Sequence, residues 1–182
     1  MALIIVLVVA AVVLVWGIST YNGFVRGDIN VEEAFATMDV YLKKRFDLIP
    51  NLVETVKGYA AHEAETLQSV IAARNAVGAA TTPSEKFESE AGLSQALRSI
   101  NIVAEQYPDL KANQNFLELQ AQLEGTENRI AVARKDFNEK ARAYNVAVRR
   151  FPANLVAGMF GFEQKPYFES SEGSEAAPQV TF

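Results

Sequence analysis

Cysteine is absent from this chain. Disulfides, thiolate metal sites, cysteine nucleophiles and thiol redox chemistry are therefore unavailable to it. Histidine occurs once, at His62. The pair His62-Glu63 invites a zinc reading, but Thr66 stands one turn on, where a metalloprotease helix carries its second histidine. No nucleophile elbow of Gly-x-Ser-x-Gly type and no phosphate-binding Walker or Gly-x-Gly-x-x-Gly loop is present. No catalytic residue, no metal ligand set and no cofactor is expected. Basic charge is also short: 17 Lys and Arg stand against 22 Asp and Glu, for a formal charge of -5 and a pI near 5.0. Phosphate backbones call for clustered Lys and Arg, so nucleic acid is excluded as a partner. Alternating strand patterns find no support anywhere in the chain.

What the sequence does have begins at its N-terminus. Residues 2–18 are all apolar or Gly, with no charge to interrupt them. At about 1.5 Å per residue this run reaches ~26 Å. Continuing the helix into residues 19–25 covers a hydrocarbon core of roughly 30 Å. Residues 1–27 are thus expected to form a transmembrane anchor that meets lipid directly. A cleaved signal peptide is the rival reading, since Gly17-Ile18-Ser19 offers small residues at cleavage spacing, but no basic residue precedes the apolar run. Arg26, with Lys43, Lys44 and Arg45 further on, leans toward an N-terminus outside the cell and a cytoplasmic body.

The remaining ~155 residues suit one domain with a real core. Phe35, Met38, Leu42, Phe46, Ile49, Val53 and Val56 step by three or four, which predicts a first long helix from about residue 30 to 76. Pro50 predicts a kink or short break in it, and Gly58 weakens the turns beyond. Thr82-Pro83-Ser84-Glu85 has the form of a capping box with proline at the first helical position, so a second helix starts there. Its stripe is Phe87, Leu93, Leu97, Ile100 and Ala104, and it ends by Tyr107-Pro108. From Asn113 a comb of Phe116, Leu123, Ile130, Phe137, Tyr144 and Phe151 recurs every seven residues, with Leu119, Thr126 and Ala133 between. That is the pattern of a third long helix lying along a partner stripe. A brief fourth helix follows Pro152, then Phe160, Phe162, Tyr167 and Phe168 form an aromatic segment that lids the bundle or touches lipid or another subunit. Residues 169–182 read as an acidic, polar tail that would stay ordered only if a neighbouring copy held it.

Several blocks in one order carry a resemblance. They are residues 44–63 (KRFDLIPNLVETVKGYAAHE), 107–113 (YPDLKAN), 126–131 (TENRIA) with Ala133-Arg134, and Tyr144-Asn145. Together they resemble the LemA family of bacterial membrane proteins across residues 21–168. The resemblance implies an N-terminal anchor in the bacterial inner membrane and an all-α fold, with three long antiparallel helices and a short fourth over residues 28–168. It implies no established enzymatic activity.

Two charged clusters are candidates for partner binding. Lys43, Lys44, Arg45 and Asp47 form a solvated helix face or a docking patch with Asp47 orienting an arginine. Lys43 lies ~25 Å along the helix from Arg26, beyond the reach of screened lipid charge, which favours a protein partner. Tyr107, Asp109 and Lys111 form a helix connector or a handle for a partner. Gly23 and Gly27 have small-x-x-x-small spacing, though Arg26 lies inside it. These features point to a membrane-anchored helical scaffold or adaptor that forms homo-oligomers and organises a membrane protease or membrane-remodelling partner. The alternative is a sensor with a ligand or peptide cleft beside Pro50.

Overall fold

The computed structural model describes residues 1–168, and the polar tail lies outside them. Six helices follow one another: α1 Ala2–Tyr59, α2 Ala64–Ala79, α3 Pro83–Gln106, α4 Pro108–Lys111, α5 Gln114–Arg149 and α6 Ala153–Phe160. Among the described residues there is no strand. The chain divides into two compact units, Met1–Asp39 with Val132–Tyr167, and Val40–Ala131 with Phe168.

Helix α1 runs 58 residues without a break, through Gly23, Gly27 and Pro50. Its apolar N-terminal part is long enough to cross a membrane: the best 18-residue window has mean hydropathy 3.0, and none of it is buried. Pro50 stays helical for a specific reason. A proline at position 50 cannot donate to the carbonyl of Phe46, one turn earlier. Arg74 of α2 supplies the missing donor, its Nε lying 3.1 Å from the Phe46 oxygen, while its guanidinium stacks 3.7 Å from the Phe46 ring centre. The expected break therefore comes later, at residues 60–63. There the chain folds back, so the stretch read as one helix to residue 76 is the end of α1 plus an antiparallel α2. Folding back is what lets Val53, Val56 and Ala60 meet Leu67 and Val70 in one core.

In the second unit the residues of α1 after Asp39, α2, α3 and the residues of α5 before Val132 surround that core, which also holds Leu93, Ile100 and Phe116. Tyr41 faces Arg129 and Tyr59 bonds Asn113, so α5 runs opposite to α1. The capping box forms as the sequence predicts: the Glu85 amide donates to Thr82 Oγ1, and the Thr81 and Thr82 amides donate to the Glu85 carboxylate. These bonds hold the Glu85 carboxyl below its ordinary value, led by the Thr81 amide. Asn113 caps α5 by accepting from the Phe116 amide.

In the first unit α5 again runs opposite to α1, with Gly27 against Tyr144 and Phe35 against Phe137, their rings 6.0 Å apart. A Cβ at Gly27 would stand 3.1 Å from Tyr144 Cδ2, so the absent side chain sets this close approach. Phe116, Ile130, Phe137 and Tyr144 of the comb are buried, as are Thr126 and Ala133. Phe151 is not; it is 76% exposed, because α5 ends at Arg149 and the register ends with it. Gly161 closes α6 in the left-handed region, φ 74°, where its amide and that of Phe162 both reach the Ala157 carbonyl.

Candidate functional site

The most charged interior point lies in the second unit. Arg45 of α1 is 1% exposed and ion-pairs with Glu90 of α3, itself 0% exposed, and with Glu127 of α5. Its Nη1 also donates to Ser94 Oγ at 3.0 Å. One guanidinium is thus shared between two carboxylates. Glu90 Oε1 and Arg45 Nε are buried with no hydrogen-bond partner among the described residues. Burial consequently pushes the Glu90 carboxyl above its ordinary value, against the pull of Arg45.

Beside this centre a cleft of about 420 Å³ opens between α3 and α5. Leu52, Leu97 and Leu123 give it an apolar wall, and Arg98, Asn101, Gln120 and Glu127 give it polar edges. Ser94 touches the cleft but accepts its bond from Arg45, and no histidine lines it. Among the described residues no group of three or more His, Asp or Glu side chains could hold a metal ion.

The charged cluster expected on the face of α1 divides. Lys43, Lys44 and Asp47 are exposed, whereas Arg45 points into the core and is oriented by Glu90 and Glu127, not by Asp47. Leu42, Arg45 and Ile49 share one register, and so do Phe87, Glu90 and Leu93. A charge standing in an apolar stripe is the signal that separates Arg45 from its neighbours and would have singled out Glu90. The other cluster forms at the far end of the same unit, ~20 Å from Arg45 along α1. Tyr107 caps α3 and donates its hydroxyl to Glu63 Oε1 at 3.0 Å, a bond that raises the phenol above its ordinary value. Lys111 pairs with Glu105 at 2.6 Å, and Asp109 is exposed. The two charged clusters are not brought together.

The aromatic segment also divides. Phe168 is buried in the second unit, its ring 4.4 Å from that of Phe87. In the first unit Phe160 and Phe162 pack on α1: ring centres lie 4.8 Å apart for Tyr21 and Phe160, 5.4 Å for Tyr21 and Phe162, and 5.3 Å for Phe24 and Phe162. Tyr167 is exposed. Asn145 holds the return of the chain after α6, donating to the Lys165 carbonyl and accepting from its amide, and Lys165 Nζ reaches Asp28 at 2.5 Å. Helix α6 buries Val156 and Ala157 but leaves Leu155 59%, Met159 79% and Phe160 59% exposed.

Residues that carried the resemblance therefore tie the helices and their ends together: Arg45 with Glu127, Glu63 with Tyr107, Asn113 as a cap, and Asn145 as a clamp. The model of the LemA family matches residues 34–182. The chain is similar to magnetosome protein MamQ of Magnetospirillum gryphiswaldense, 25% identical over an alignment of 189 positions that covers 88% of this chain and 70% of that protein. Magnetosome protein MamQ 2 of Paramagnetospirillum magneticum is 25% identical over an alignment of 187 positions that covers 88% and 68% of the two chains. Protein LemA of Metamycoplasma hominis is 23% identical over 152 residues, 83% and 69% of the two chains. With the family model covering well over half of its length, the chain belongs to the LemA family.

Proposed function

We propose that this protein is a non-enzymatic scaffold or adaptor, anchored in the bacterial inner membrane by α1, that self-associates and organises partner proteins. The observation carrying this reading is α1 itself: one unbroken helix whose first part is apolar and wholly exposed, and whose last part is core. Exposed apolar residues on the body, Val132 and Val146 of α5 among them, provide lateral surface for association. Lys43, Lys44 and Asp47 on one side, and Tyr107, Asp109 and Lys111 on another, are the polar sites for partners such as a membrane protease or a remodelling machine. Mass measurement of the intact complex in mild detergent tests the idea and is expected to give multiples of the 20.0 kDa chain. A clean monomer at micromolar concentration, with no crosslinks formed in membranes, refutes it. The N-terminus is proposed to face outward with the body in the cytoplasm. Because the chain has no cysteine, Gly58→Cys gives a unique reporter: labelling of intact cells by a membrane-impermeant maleimide would reverse the orientation.

The cleft beside Arg45 favours a second reading, a ligand- or peptide-binding sensor. A saturable ligand found among lipids, nucleotides and peptides should be displaced by Leu97→Trp, which fills the cleft. Finding none in all three classes counts against the sensor.

A further inference from the structure

The geometry points to α6 as a second membrane contact: a short helix lying in the headgroup region with its uncovered apolar face in the top of the acyl layer. Its level follows from α1. A hydrocarbon core of roughly 30 Å takes about twenty helical residues, so a span beginning at Ala2 leaves the acyl layer near Tyr21. Phe160 and Phe162 pack on Tyr21 and Phe24. Helix α6 is thereby fixed to α1 at the height where the chain emerges, with Trp16 and Tyr21 marking the aromatic belt.

The side chains of α6 suit that place. Val156 and Ala157 turn toward the protein, whereas Leu155, Met159 and Phe160, with Phe151 just before, stay bare. Positions 155 and 159 are four apart within α6, so Leu155 and Met159 share one side. Met159 is flexible and polarizable, a side chain that adapts to disordered acyl chains. Charge agrees with this. From Lys140 to Phe162 the chain holds Lys140, Arg142, Arg149 and Arg150 and no Asp or Glu, although the whole protein carries -5. Arg149 and Arg150, both exposed, immediately precede the apolar face. An apolar side flanked by basic residues is the composition of a helix that lies on an anionic lipid surface. A second copy of this chain would meet the same apolar side, but would bring the same positive charge to it.

The inference rests on α1 crossing the bilayer, so the test includes that premise. Met159→Cys, a position already exposed, is labelled with an environment-sensitive fluorophore in the full-length protein. Val9→Cys and Glu118→Cys are labelled as references. All three are reconstituted in vesicles of phosphatidylcholine with phosphatidylglycerol that carry nitroxide lipids quenching either near the top of the acyl chain or near its end. Met159→Cys is expected to show blue-shifted emission and to be quenched several-fold more by the shallow nitroxide than Glu118→Cys, with Val9→Cys quenched best by the deep one. Quenching at Val9→Cys with water-like emission at Met159→Cys overturns the placement of α6 alone. No quenching at Val9→Cys overturns the anchor and this inference together. Blue-shifted but unquenched emission at Met159→Cys, growing with protein density, assigns the surface to a second copy and also overturns it.

Discussion

The bond between Arg74 and the Phe46 carbonyl should be worth most when residue 50 is proline. Arg74→Met keeps an unbranched stem against the Phe46 ring but removes both the hydrogen bond and the stacked charge. A hydrogen bond from a charged donor contributes about 1.5–3 kcal/mol. The stacked cation adds about 0.5–1 kcal/mol at a partly exposed site. In the natural background the variant should therefore lose about 2–4 kcal/mol, because Pro50 leaves that carbonyl no other backbone donor. In a Pro50→Ala background the new amide can close the helical bond to Phe46, and the same substitution should lose about 1–2 kcal/mol less. The stacking contribution is lost in both backgrounds and cancels from the difference. Denaturant unfolding of all four proteins in the same detergent, followed by far-ultraviolet circular dichroism, measures the cycle. If the two changes are additive within about 0.3–0.5 kcal/mol, the arginine does not replace the proline's missing donor, and the account of the unbroken α1 fails.

Three further predictions concern the buried charges and two glycines of α1. Arg45→Met strands Glu90 in the core and should cost about 3–5 kcal/mol, whereas Arg45→Met with Glu90→Met should recover much of that loss; equal stability of the single and double variants would refute it. Glu90 titrates above its ordinary 4.5 in the folded protein, so the native state holds the extra proton between that value and the raised one. Its contribution is complete below the ordinary value and is lost as pH rises through the raised one; Glu90→Gln should flatten this slope in unfolding titrations, and an unchanged slope refutes it. Gly58 is exposed with open space around it, so Gly58→Ala should stabilise α1 by about 0.5–1 kcal/mol. Gly27→Ala meets Tyr144 at 3.1 Å and should gain nothing or lose stability; thermal unfolding that raises both equally contradicts the packing.

Spacing made most of the helices legible. Steps of three and four residues found the stripes on α1, α3 and α5, and the capping box at Thr82 and the proline at 108 set the limits of α3. Pro50 misled because its cost depends on whether another group serves the freed carbonyl, and that group, Arg74, lies on a different helix. The turn at residues 60–63 carried no proline to announce it, so α2 was hidden inside a longer stripe. The candidate site was less legible than the fold. Acidic residues on helices are mostly solvated, and nothing local distinguishes Glu90 from Glu88 except its register between Phe87 and Leu93. Arg74 between Val70 and Val77, and Arg45 between Leu42 and Ile49, stand in the same relation. Distinguishing them requires asking, for each stripe, which charged residue falls in the apolar register.

Those misplaced charges bear on a weakness of the comb. An apolar residue every seventh position is satisfied almost equally when a helix slides by one repeat, ~10 Å, along its neighbour. In the second unit, Phe116, Leu123 and Ile130 alone would tolerate such a slip. Arg45 does not tolerate it. A slip of α5 by seven residues would replace Glu127 opposite the guanidinium with neutral Gln120 in one direction and with the like charge of Arg134 in the other. A similar slip of α3 would replace Glu90 with Pro83 or Leu97. An ion centre that adds little net stability against an apolar substitute can still select one register among several. The variant with methionine at both 45 and 90 separates these roles. It should keep its helix content and much of its stability, yet lose the Tyr59 to Asn113 pairing in a fraction of molecules. Disulfide trapping of Tyr59→Cys with Asn113→Cys reads that fraction. Trapping as complete as in the natural background would show that the apolar teeth alone set the register.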